Sequence, residues 1–454
     1  MATGGTVHLD ASATPGIHHA TTGLTTESAK KASELLQRNH DDNHIFFNAS
    51  GFHNHIAHHL LALYALGASP QQLQHAFDSN QGYQRKQFPL DAGNVQDLSD
   101  PERFKECLGK EKYYHDFEAF FGREIDEKGY EAVVKEYLLK GDERADDLLW
   151  RTYAGFYHPL IHLGYGIEFA QPAIIAEALA QAAVHDNWTA SFLAPLKALP
   201  TPTPSDTPTP LTQLLTRCRA DATLAASAHD SDGNKVRDGV LARAPSQMLA
   251  IARQWFVARP LTAEGLERAT AEMVAACAWF AGAAQRPDLG KMVKFDFFYM
   301  HCVNCSVFFS AIVRQGWLSL EEKARLLEMK GRMDLALYVS RGCPELRGGE
   351  VSGYEGVGKG EEERSWEGVR RRVAAYDDDG HAAKLVRALG NGESVCRRWE
   401  GEVGEEVLPV RGDMWLRLGN MAIDSVEAGG PRWVRNAGFD AAWEEVPERE
   451  KARL

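Results

Sequence analysis

No stretch of this 454-residue chain approaches the roughly 18 consecutive apolar residues that a membrane-spanning helix requires. Residues 1–26 are polar, with neither a basic region nor an apolar core, so they do not read as a secretory signal. The seven cysteines are scattered without the spacing of a disulfide framework, which suits a reducing compartment. Formal net charge is −13, and acidic and basic residues are interleaved. Nucleic acid is therefore not an expected partner, because phosphate binding needs a concentrated Lys/Arg surface. Alternating strand patterns with tight-turn punctuation are scarce as well. These absences predict a cytoplasmic, mainly α protein with no membrane partner.

What is present is helical. Ser69, Pro70 and Gln72 spell an N-cap, a first-turn proline and a capping box, and Ser319 with Glu322 repeats the box. Residues 173–184, 262–284 and 293–313 are apolar at helical spacing or nearly all round, which predicts buried helices. The composition, 44% hydrophobic and 25% charged, is that of an ordinary globular protein. Residues 199–211 hold a Pro-Thr repeat that cannot be helical, and 347–364 is a Gly- and Glu-rich segment expected to be mobile. Residues on both sides of each belong to the same candidate site, so the chain reads as a single helical domain, 1–454, of antiparallel helices with long surface loops.

Several familiar motifs fail on their chemistry. The run from Gly353 to Lys359 has phosphate-loop spacing, but Gly360 stands where a Ser or Thr hydroxyl is needed, and no strand precedes it. Gly164-Tyr165-Gly166 lacks the third glycine and the strand-helix context of a dinucleotide fingerprint. NADPH stays open as a co-substrate with no motif to hold it. Cys302 and Cys305 have no second pair at zinc-ribbon spacing and read as small buried residues.

The histidines carry the chemistry. They recur in apolar, helix-patterned settings at 53–59, 158–162, 301 and 381, the last followed by Lys384. A lone buried histidine is ordinarily a hydrogen-bonded core group, but imidazoles converging from distant helices build a metal site that no single helix can make. In a helix His55, His58 and His59 share a face, and spacing does not choose among them. His158 and His162 are four apart; His381 and Lys384 are three apart. A lysine desolvated in an apolar pocket can react as the neutral amine with carbon dioxide, giving a carbamate with two acceptor oxygens.

Four of these segments, His55 to Gly67, His158 to Phe169, Phe298 to His301 and Asp379 to Leu389, resemble the questin oxidase-like family of fungal aromatic polyketide pathways, in the same order from about His40 to Leu389. The resemblance implies an oxygenase that uses O2 to open the quinone ring of a hydroxyanthraquinone, with a Baeyer-Villiger-like outcome. It also implies a mononuclear non-haem Fe(II) held by His55, His158, His301, His381 and a carboxylated Lys384. Four neutral imidazoles and one carbamate give such a site a net charge of +1 and, if octahedral, one open position. That departs from the common two-histidine, one-carboxylate arrangement. His301, Lys384 and His162 are the candidate catalytic residues, His162 as hydrogen-bond partner to a ligand, and His185 with Asp186 is a second supporting pair. Tyr157, Tyr165, Phe298 and Tyr299 are candidate pocket walls, whereas His8, His18, His19, His75, His115 and His229 read as surface or loop residues. The alternatives are a metal-dependent hydrolase, which wants more carboxylates and usually a β/α barrel, and a non-catalytic helical binding protein.

Overall fold

The computed structural model describes residues 1–12, 24–356 and 360–449, so His18, His19 and positions 357–359 lie outside the described residues. Helices carry almost all the regular structure, and pairing of extended backbone among the described residues is confined to isolated bridges such as that between Phe46 and His53. The mainly α class expected from the sequence is the one observed. Packing groups the chain into two compact units, one of residues 1–190, 314–317 and 374–384, the other of 191–313, 318–373 and 385–454.

In the first unit the Pro172–Val184 helix packs against Tyr114–Lys128, Glu143–Thr152 and His158–Glu168. Residues 173–184 are all buried, as a helix without a polar face must be. Gly166 permits the close crossing with this helix. A Cβ there would lie 2.6 Å from Ile175 Cγ1 and 2.9 Å from Ile175 N. The helices Thr26–Asp42, Ile56–Ala65 and Pro70–Gln81 pack on one another, and Ile56–Ala65 also meets His158–Glu168. The Ser69 capping box forms: Gln72 N donates to Ser69 Oγ while Ser69 N donates to Gln72 Oε1.

In the second unit two long helices, Ala263–Ala283 and Leu320–Ser340, pack on each other and on Phe297–Ser306. The Ser319 capping box also forms. The apolar run 293–313 is not one helix. Asp296 accepts the backbone N–H groups of Phe298 and Tyr299, so the helix starts only at Phe297; it ends at Ser306, and a short helix Phe309–Ile312 follows. A carboxylate that takes the first free N–H groups sets a boundary that hydrophobicity cannot show. Residues 199–210 form no helix, and a turn there has Thr203 N and Oγ1 donating to Asp206 Oδ2. The 347–364 segment includes two short helices, Gly348–Ser352 and Glu361–Arg364.

Candidate functional site

Three of the candidate ligands, all in the first unit, stand where a helix begins. His55 is not inside a helix with His58 and His59, as helical spacing suggested; it occupies the N-cap position of Ile56–Ala65, with φ −101° and ψ −1°. Its neighbour Asn54 fixes the entry, donating to Asn39 Oδ1 at 2.7 Å and accepting from Ile56 N at 2.9 Å. His158 opens its helix after three successive residues of positive φ, Gly155 (54°), Phe156 (55°) and Tyr157 (69°). A left-handed conformation costs a non-glycine residue about 1–3 kcal/mol, and such strain collects where a side chain must be aimed. Gly155 has no substitute, since a Cβ there would lie 2.5 Å from His185 Nε2 and 2.9 Å from His53 Cε1. His381 opens the His381–Cys396 helix after Gly380, whose φ of +92° places its α-carbon so close to His59 that a Cβ would come within 2.6 Å of His59 Cβ. Asp378 holds this turn by accepting from Gly380 N and Ala382 N at 2.7 and 2.8 Å. The positive ends of three helices thus surround the imidazoles and favour their neutral forms.

One ring nitrogen of each of His55, His158 and His381 lies within 4.8 Å of the others, and all three residues are buried. In each ring the Nδ1 position faces an acceptor. His158 Nδ1 is 2.5 Å from the Gly155 carbonyl, His55 Nδ1 is 2.9 Å from Asp379 Oδ2, and His381 Nδ1 is 2.6 Å from Asp379 Oδ1. Donation from Nδ1 leaves Nε2 with its lone pair, which is how ligating histidines are oriented. His55 Nε2 and His158 Nε2 then face each other at 2.7 Å. Two lone pairs at that distance repel unless a cation or a shared proton relieves them, so the donor set fits a metal ion. Burial and the nearby Lys384 push the His55 pKa down to about 3, which keeps the ring neutral. Asp379 is ionised; burial opposes this, but His381 and His55 hold its pKa well below the usual carboxylate range.

Lys384 sits one turn into the same helix and is only 3% exposed. Its Nζ is buried without a hydrogen-bond partner. Burial pushes its pKa down to about 8 against the pull of Asp379 and Asp378, so a sizeable fraction is neutral amine near pH 7–8. His301 belongs to the second unit, fully buried on Phe297–Ser306, with Nδ1 2.6 Å from the Phe297 carbonyl. Tyr299 commits its hydroxyl to the Tyr338 carbonyl and its ring to Phe280, and Phe298 lies under the Arg341 guanidinium. Tyr165 stacks beside His58 with ring centroids 5.4 Å apart.

Behind the cluster runs a row of buried groups that spacing found only in part. His58 Nε2 is 3.0 Å from His162 Nδ1, His162 Nε2 is 2.6 Å from Glu177 Oε2, and Glu177 Oε1 is 2.7 Å from His40 Nδ1. Glu118 joins at 3.3 Å from His40 and accepts from Tyr114 and Gln87. His40, Glu118 and Glu177 also lie close enough together to be donors to one ion. Burial works against the charged form of His40, yet Glu118 and Glu177 raise its pKa to about 9. Burial pushes Glu118 up, while the hydrogen bonds of His162 and His40 overcome burial and hold Glu177 down. His185 pairs with His53, Nε2 to Nε2 at 2.8 Å, and His53 stacks on His158 at 3.9 Å. The sequence assigns no role to Asp379, Glu177, His40 or His53, although His53 and Asp379 lie in the segments it marks. Asp379 carried a signal, a carboxylate two residues before a candidate ligand.

A helical fold whose buried site is built from histidines, one carboxylate and one desolvated lysine defines a class of protein in which chemistry is carried by side chains gathered from well-separated segments. A family model described as Questin oxidase-like matches residues 52–389, and the chain belongs to that family. It is 42% identical over 426 residues to a Baeyer-Villiger monooxygenase, dmxR6, of a Cryptosporiopsis species, covering 92% of this chain and 94% of that one. It is 42% identical to the Baeyer-Villiger oxidase AgnL3 of Paecilomyces divaricatus, with 95% of each covered. It is 39% identical to a questin oxidase of Aspergillus fumigatus, covering 95% of this chain and 97% of that one.

Proposed function

We propose that the protein is an oxidoreductase that uses dioxygen to open the quinone ring of a hydroxyanthraquinone; its relatives are named Baeyer-Villiger oxidases and questin oxidases. A single iron ion would be held by His55, His158, His381 and His301 together with Lys384 in its carboxylated form; His301 is assigned to this set by the resemblance alone. The observation that carries the reading is the convergence of His55, His158 and His381 with every Nδ1 facing an acceptor.

Bound iron would supply the electron exchange with dioxygen that no amino-acid side chain provides. The chain's own residues do the rest. Asp379 accepts from His55 and His381 together, fixing two rings with one carboxylate. Gly155 carbonyl fixes the third. Lys384, buried and without a hydrogen-bond partner on Nζ, would capture carbon dioxide as the neutral amine and offer an anionic oxygen to the ion. Burial of the whole cluster excludes water from an oxidation that water would intercept.

The test is oxygen uptake with a hydroxyanthraquinone, with and without NADPH, and mass analysis of the product. The proposal expects oxygen consumption tied to a ring-opened product carrying oxygen from dioxygen. Turnover without oxygen uptake, or a product whose new oxygen comes only from water, overturns it.

A further inference from the structure

The hydrogen bonds behind the cluster fix where protons sit. Glu177 accepts on both oxygens, from His40 Nδ1 at 2.7 Å and from His162 Nε2 at 2.6 Å. In a neutral His162 ring Nδ1 is then a bare acceptor, and the bond at 3.0 Å is donated by His58 Nε2. His58 Nδ1 is left with a lone pair, buried and without a hydrogen-bond partner. Its ring lies 6.0 Å from that of His55 and 6.1 Å from that of His158. At the other end His40 and Glu118 line a cavity of about 560 Å³, walled by Gly4, Gly5, Gly122 and Asp126 among others. Gly4 lies so close to Gly122 that neither could carry a side chain without displacing the other's backbone.

We propose that His58, His162, Glu177 and His40 form a proton relay between the imidazole cluster and this cavity, and that it accepts the phenolic proton of a hydroxyaromatic substrate. This rests on the function proposed above. When His58 Nδ1 takes that proton, the Nε2 proton of His58 passes to His162 Nδ1 and the Nε2 proton of His162 passes to Glu177 Oε2. Three bonds to hydrogen break, one O–H and two N–H, and three form, two N–H and one O–H. His40, which then keeps only Glu118 as a carboxylate partner, releases its extra proton to the cavity. Nothing is oxidised or reduced: with the His40 N–H as the fourth bond broken and a solvent O–H as the fourth formed, the substrate loses one proton and solvent gains one, and Glu177 stays protonated beside a neutral His40 until the protons shift back.

The tautomers are readable without turnover, by ¹⁵N NMR of histidine-labelled, metal-free protein. His58 and His162 are expected as neutral Nε2–H forms, and Glu177→Gln, whose amide can donate to His162, is expected to shift both toward Nδ1–H. His58 found as the Nδ1–H tautomer in the unsubstituted protein overturns the relay, whatever the enzyme proves to catalyse. In turnover, Glu177→Gln is expected to lower kcat about 100-fold, with KM and iron content unchanged and a larger solvent isotope effect. Unaltered kcat, or loss of iron in parallel with activity, contradicts the proposal. If Glu177→Gln does not fold, His40→Gln at the cavity end carries the same test, with a smaller fall in kcat at constant KM.

Discussion

Lys330 and Lys384 are both buried in this protein, and they are buried differently. Lys330, in the second unit, lies 2.6 and 2.5 Å from the two carboxylate oxygens of Asp334, with Cys277 Sγ 3.0 Å from the same carboxylate. Burial disfavours its charge, but Asp334 more than offsets this and raises its pKa. Lys384, in the first unit, has no hydrogen-bond partner on Nζ, and its pKa is pushed down to about 8. A paired buried charge is a structural device, fixed and unreactive. An unpaired one among converging imidazoles has its nucleophilic form within reach at ordinary pH, which is what carbon dioxide capture requires.

The comparison breaks most visibly under substitution. Lys330→Met leaves Asp334 buried without its partner, and removing one member of such a pair costs about 3–5 kcal/mol; a urea titration should show the loss. Lys384→Met removes a buried amine that nothing pairs, so at pH 7 it should be neutral or stabilising in the metal-free protein while abolishing turnover. Comparable destabilisation by the two substitutions would show that the lysines do the same job.

The second effect depends on pH. The folded pKa of Lys384 is about 8 against an ordinary 10.5, so the unfolded chain holds the proton more tightly. Stability relative to Lys384→Met is greatest above pH 10.5 and is lost as pH falls through 8. The full difference of about 2.5 pKa units is worth about 3 kcal/mol. Urea midpoints of the two metal-free proteins should therefore diverge between pH 10 and 7, with Lys384→Met the more stable at the lower end. Parallel curves would remove the case for an unpaired amine.

A smaller effect tests the turn that aims His381. Gly380→Ala places a Cβ 2.6 Å from His59 Cβ at a φ of +92°, and should cost about 1–3 kcal/mol. Metal affinity should fall with it, measured as the Fe(II) concentration needed for half-maximal loading. Unchanged affinity would mean that the turn does not position His381.

The two regions were also unequally legible in the sequence. Caps can be read because both partners lie within one turn, and the boxes at Ser69 and Ser319 formed as written. The apolar run 293–313 hid a boundary, because Asp296 sets it through hydrogen bonds and not through hydrophobicity. His158, His381 and Lys384 stood out in their segments. The N-cap position of His55 did not, since helical periodicity continues smoothly across it into His58 and His59. Glu177 was invisible for another reason. It sits in a run of alanines and isoleucines, where a single carboxylate gives no hint that His162 and His40, distant in sequence, meet on its two oxygens.

The central claim is that lone pairs on His55, His158 and His381 are aimed at one redox-active cation. Iron content after anaerobic loading with Fe(II) tests it most directly, on the unsubstituted protein beside His158→Ala. The account expects about one iron per chain in the former, retained through desalting, and little in the latter at unchanged helical content. An unsubstituted protein that takes up no iron, or a His158→Ala protein that binds it equally well, would contradict it.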